Sequence, residues 1–125
     1  MYEGKVLLIH KCRPTWQAGG LNGIGGKVNK HENFYDAMVR ECSEEAGITV
    51  THWIYLGLVT DNKHYIVKFY SSQVPHLDMA RTMTDEKISI FDIASFDYSL
   101  VIPPADIFIR LALNNIFSPI ELIME

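Results

Sequence analysis

The chain has 125 residues, 48% of them hydrophobic and 21% charged, with a formal net charge of -4. That length suits a single domain over residues 1–125 and excludes two, while the acidic balance and lack of any basic run argue against a nucleic-acid polymer as partner. Two cysteines without metal-ligand spacing and an N-terminal apolar run too short to span a bilayer point to a cytoplasmic protein with reduced thiols and no membrane partner.

Lys5 to His10, with VLLI inside it, predicts a buried strand. A loop follows from Lys11 to Gly20, carrying Arg13, Pro14, Trp16 and Gln17, and Leu21 to Val28 is glycine-dense and extended. Asn33 can cap a helix whose first turn holds Asp36, and Gly47 can close it in the left-handed conformation. Val50–Thr60 and His64–Ser71 are rich in β-branched and aromatic residues and predict two strands joined by a turn at Asp61-Asn62. A polar loop spans Ser72 to Thr84, Ile88–Phe91 predicts another strand, and Asp92–Phe96 a helical turn. Pro103-Pro104 breaks the chain before a helix over Ala105–Asn114, where Ile107, Phe108, Leu111 and Leu113 recur at helical spacing. The tail from Ile116 to Glu125 is apolar and carries no pattern of its own. Strands with one helix among them and one near the end fit an α/β sandwich.

The first helix holds the chemistry. Tyr35, Met38, Val39, Cys42 and Ala46 fall within an arc of about 100°, an apolar face built for burial. Glu41, Glu44 and Glu45 share a second, exposed arc, where like charges at i,i+3 and i,i+4 repel. A solvated face is one reading of such a cluster. Hard oxygen ligands on one face also suit Mg²⁺, which keeps several waters and shares its site with substrate phosphates. The Gly-Gly pair upstream and Arg40 beside the cluster favour the second reading.

The segment Gly26–Ile48 resembles the Nudix box, G-x5-E-x7-R-E-U-x-E-E-x-G-U, where U is a bulky aliphatic. Gly26, Glu32, Arg40-Glu41, Glu44-Glu45, Gly47 and Ile48 occupy the fixed positions, with Cys42 in place of the usual aliphatic. The resemblance implies a Nudix fold, a mixed β-sheet sandwiched between α-helices. Relatives carry a full strand where this chain has only Met1 to Gly4, so that strand is short or missing unless a partner chain or the C-terminal tail replaces it. It also implies water attack on a nucleoside diphosphate linked to some group X. Glu41, Glu44, Glu45 and the Gly26 carbonyl are then the expected ligands of Mg²⁺, with Mn²⁺ as the alternative ion. Arg40 and Glu44 join Glu41 in catalysis, Glu32 supports Arg40, and Gly47 ends the helix. The general base is Glu41 or an acid from a later loop, for which Glu86 is the candidate beside Asp85.

Two further segments resemble the MutT-type branch, which hydrolyses 8-oxo-dGTP and related purine triphosphates. Asn22 to Val28, NGIGGKV, is similar to the NGFGGKV of eukaryotic members, and Ile102 to Asp106, IPPAD, to the bacterial FPPAN. They nominate Asn22, Lys27 and Asp106 for substrate binding, with Trp16 to stack on the base. An ionised Asp106 can only accept hydrogen bonds, which a guanine-type ring can donate. The leading expectation is therefore a Mg²⁺-dependent pyrophosphohydrolase of a purine triphosphate, acting on a small nucleotide as monomer or homodimer. The alternatives are an ADP-ribose or nucleotide-sugar hydrolase and a non-catalytic nucleotide-binding regulatory domain; the latter typically lacks box acids that are all present here.

Overall fold

The computed structural model describes residues 1–124. Six strands and two helices follow in the order β1 (Lys5–His10), β2 (Leu21–Asn22), α1 (Phe34–Ala46), β3 (Ile54–Thr60), β4 (Ile66–Ser71), β5 (Ile88–Asp92), α2 (Ala105–Leu113) and β6 (Ile120–Ile123). The expected mixed α/β fold is present, but the strands form two three-stranded sheets rather than one. The first has the order β2-β1-β5 and is antiparallel throughout; the second has the order β4-β3-β6, with β4 antiparallel and β6 parallel to β3.

Alternation inside VLLI explains the first sheet. Val6 and Leu8 point to one side and pack with Leu21, Val101 and Ala105, the first residue of α2. Ile9 turns to the other side and meets Cys42 and Ala46 of α1, together with Val50 and Ile88. The second sheet is covered by α2, whose Phe108 is fully buried and stacks on Phe69 of β4 at 4.1 Å between ring centroids. Burying a phenylalanine side chain stabilises by about 1.5–3 kcal/mol, so this contact is a main fastening of α2 to the sheet.

The helix caps stand as expected: Asn33 Oδ1 accepts from the Asp36 amide at 2.8 Å, and Gly47 adopts φ +70°. The buried stripe, however, is rotated. Cys42 and Ala46 are buried and Met38 packs beside them, but Ala37 and Glu41 are also buried, while Tyr35 is exposed with its hydroxyl bonded to the Thr51 carbonyl. Glu41 is covered by Arg40, which donates to it, and by the backbone of Gly26.

At the N-terminus the strand expected to be short or missing is missing, whereas the tail departs from expectation. Met1 to Gly4 make a tight turn closed by a Tyr2–Lys5 bridge and form no strand. Met1 instead docks at the end of β4, its amino group donating to the Ser72 carbonyl at 2.7 Å and its carbonyl accepting from the Val74 amide at 2.9 Å. The tail becomes β6. Ile120 and Leu122 turn inward beside Leu56 and Val59, and Glu121 and Ile123 turn out. Gly57 makes this possible: it has φ +139°, and a Cβ there would sit on the Ile120 carbonyl. Residue Glu125, the last of the predicted tail and of the single domain, lies outside the described residues.

Candidate active site

Arg40 organises the acids of α1. Its Nε and Nη2 donate to both oxygens of Glu32, at 2.9 and 3.0 Å, in the two-pronged geometry that suits guanidinium and carboxylate. Nη1 reaches Glu41 at 2.9 Å and Glu44 at 3.1 Å, and Nη2 also donates to the Lys27 carbonyl at 2.9 Å. One side chain thus ties the loop after the glycines to the helix. Glu32 is held below the usual carboxylate range, first by Arg40 and then by the Asn29 amide.

The three helix acids are not equivalent. Glu44 is exposed, Glu41 is only 9% exposed, and Glu45 is half-buried. The expectation of three exposed carboxylates holds for Glu44 alone: Arg40 packs on Glu41, and the backbone amides of Arg81 and Met83 donate to the carbonyls of Ala46 and Glu45. Glu45 Oε2 is buried without a hydrogen-bond partner. Burial, then the neighbouring Glu41 carboxyl, pushes Glu45 up to about 7, against a smaller opposing effect of Lys11. Two carboxylates in contact cannot both ionise cheaply without a proton or a cation between them. Among the described residues no three of these acids converge on one point that would hold a metal ion as they stand, since Glu41 and Glu44 are turned onto Arg40. The donor set nonetheless fits a hard divalent ion: all-oxygen, anionic, and carrying one buried oxygen with no partner. Gly26 lies against Glu41, so a Cβ there would overlap the carboxylate.

A cavity of about 710 Å³ opens beside this cluster, between the two sheets. Asn22, Gly26, Lys27 and Glu41 all line it, so the structure brings these predicted residues together. It separates others. Trp16 is 72% exposed on a short helical turn and faces a second, shallow pocket with Gly20, Ile102 and Pro103. Asp106 lies in the first turn of α2; its neighbour Ala105 lines the main cavity but Asp106 does not, and its Oδ1 is buried without a partner.

Glu86 is buried at the entry to β5 and takes three donors. Lys11 Nζ reaches one oxygen at 3.0 Å, and the amides of Cys12 and Arg13 reach the other at 2.6 and 3.3 Å. Burial would raise its carboxyl, but these donors together hold it below the usual range. Asp85 stays exposed and pairs with Arg13. Lys11, on the cavity wall between Glu86 and Glu45, was not singled out in the sequence. Its one signal there is its place, the first residue after β1, where a strand ends at the site.

The sequence model of the NUDIX domain matches residues 1–110. The chain belongs to the NUDIX family. No protein of curated function matches the sequence. Among solved structures, a NUDIX hydrolase from Nitrosomonas europaea superposes with a TM-score of 0.81 at 13% identity, covering 99% of this chain and 74% of that one. A MutT NUDIX hydrolase from Burkholderia pseudomallei gives 0.66 at 23% identity, covering 86% and 88%. A MutT structure from a study of the Aliivibrio salmonicida and Vibrio cholerae enzymes gives 0.66 at 22%, covering 89% and 85%. At these identities the likeness concerns the fold. As a NUDIX domain with its box acids in place, the protein is a hydrolase of pyrophosphate bonds.

In this NUDIX site Arg40 touches the acids and does not line the cavity. Arg40→Ala should therefore lower kcat by about tenfold to a hundredfold, as loss of a supporting partner does, while Mg²⁺ still binds. Steady-state kinetics with a calorimetric Mg²⁺ titration checks this. An unchanged kcat, or loss of all metal binding, would be the contrary result.

Proposed function

We propose that this NUDIX hydrolase is a Mg²⁺-dependent pyrophosphohydrolase of a purine nucleoside triphosphate, 8-oxo-dGTP among the candidates, giving the monophosphate and pyrophosphate. The observation that carries the reading is the Glu41–Glu45 pair, with its partnerless buried oxygen and with Glu41 on the wall of a cavity sized for a nucleotide. Glu41, Glu44, Glu45 and the Gly26 carbonyl would hold the ion, which when bound neutralises phosphate charge and acidifies a water. Arg40 fixes one oxygen of Glu41 by donating to it. Lys11, fixed by Glu86, would offer a cation to phosphate oxygens beside Glu45. With three donors engaged, Glu86 is a poor proton acceptor, so it positions Lys11 and Glu41 is the acid placed to take the proton. Asn22, which lines the cavity from β2, would meet the nucleotide there in this reading. Asp106, one residue from the cavity wall, is the acceptor this reading assigns to the donors of the base. Its orphaned Oδ1 supports that role.

This reading makes the protein a cytoplasmic nucleotide-pool enzyme. Activity should need millimolar Mg²⁺, vanish in excess chelator, and be highest at alkaline pH, where Glu45 is free of its proton. The deciding measurement is kcat/KM for dGTP, 8-oxo-dGTP, dCTP and ADP-ribose, on wild type, Asp106→Ala and Asp106→Asn. Pyrimidines should be poor substrates; Asp106→Ala should raise KM for purines more than it lowers kcat, and Asp106→Asn should be milder. Turnover in chelator, or ADP-ribose as the best substrate, would overturn the proposal.

A further inference from the structure

The cavity wall holds a cation that nothing so far has employed. Lys68, in the middle of β4, lines the cavity and is half-buried. Of the lysines, Lys11 and Lys68 are the two that are not fully exposed, and Lys11 is paired with Glu86. Among the described residues Lys68 donates no hydrogen bond and forms no ion pair. Its ammonium instead stands 4.3 Å from the centroid of the Phe34 ring and 5.8 Å from that of Tyr55. Aromatic faces offset part of what it costs to shield a cation from water, but they accept none of its three protons in a full hydrogen bond.

Its place in the cavity indicates what those protons would meet. Phe34 and Glu41 are seven residues apart on α1, so they project from nearly the same side, about 10 Å apart along the axis. Ala37 and Met38, between them, give the wall an apolar middle. A nucleotide with its phosphates at Glu41 therefore points its base toward Phe34 and Lys68, with the sugar along the apolar stretch. An ammonium can only donate. It rewards a base edge carrying a keto oxygen and finds no acceptor in an amino group at the same place.

We propose that Lys68 is a specificity-determining residue that donates to a keto oxygen of the base, so that 6-keto purines are preferred over 6-amino purines. This rests on the triphosphate reading above. The test is kcat/KM for dGTP, dITP and dATP at saturating Mg²⁺, on wild type, Lys68→Met and Lys68→Arg, with dIMP and dAMP binding followed by calorimetry. Lys68→Met keeps the apolar stem, and matched circular dichroism and melting curves establish that it folds. Wild type should prefer dITP over dATP by about tenfold or more, the scale of one charge-assisted hydrogen bond. Lys68→Met should bring that ratio near unity, chiefly through a raised KM for the keto purines, and Lys68→Arg should keep the preference. A ratio unchanged in Lys68→Met overturns the proposal, as does an equal loss of kcat on all three, which would place Lys68 at the phosphates. Monophosphate binding separates the two readings. If no triphosphate is hydrolysed, the substrate assignment fails, while dIMP binding that depends on Lys68 still supports the role of the lysine.

Discussion

Glu45→Gln should lower kcat/KM by about 10²–10³, the scale of removing one preorganised electrostatic group from a phosphoryl-transfer site. It should do so without unfolding the protein. Glu45 Oε2 has no partner, so no hydrogen bond is lost there when the charge is removed. The stability effect has a sign that can be worked out. Burial and Glu41 push the Glu45 carboxyl up to about 7, above its unfolded value of 4.5. Below the unfolded value the group is protonated in both states and its contribution is fully present. As pH rises through about 7, the unfolded chain has already released this proton, and the folded state must release it against a neighbouring carboxylate, so the contribution is lost. Metal-free Glu45→Gln should therefore melt with wild type near pH 4 and above it at pH 8. Adding Mg²⁺ should reverse the order at pH 8, because only the wild type gains the full stabilisation of bound ion. Calorimetric melts at both pH values, with and without Mg²⁺, check all of this. A mutant that turns over at the wild-type rate, or that is the less stable metal-free protein at pH 8, would make the carboxylate a structural one.

Gly26→Ala should cost about a hundredfold in kcat, the penalty expected when a reacting group is displaced by roughly 1 Å. A Cβ at Gly26 would overlap the Glu41 carboxylate. That carboxylate is the end of a flexible side chain, so it moves and the backbone does not. Moving it breaks the 2.9 Å bond from Arg40 and the contact with Glu45. The neighbouring Gly25 is the control, since a Cβ there meets nothing within 4 Å. Gly25→Ala should keep wild-type kcat and melting temperature. Equal behaviour of the two alanine variants would show that Glu41 tolerates displacement and that its position is not what the glycine protects.

Much of the site was legible because it is local. The cap at Asn33, the stop at Gly47 and the spacing of Arg40, Glu41, Glu44 and Glu45 lie within one helix, where 100° per residue fixes relative directions. The same local logic placed β1, β4, β5 and α2 within a few residues of where they lie. It could not orient the helix as a rigid body. Ala37 and Glu41 are buried and Tyr35 is not, because which face is covered depends on what the rest of the chain packs against the helix.

The residue pattern was enough for the box helix, its acid cluster and most of the strands. All of these are encoded in contacts a few residues long. The tertiary structure alone decided the strand in the tail, which needs the bare backbone of Gly57 more than sixty residues upstream. It decided that Glu86 clamps Lys11, that Trp16 faces another pocket, and that Lys68 enters the cavity over Phe34. Each of these joins residues distant in the chain, and the sheet pairing that brings them together depends on the whole core rather than on any segment's pattern.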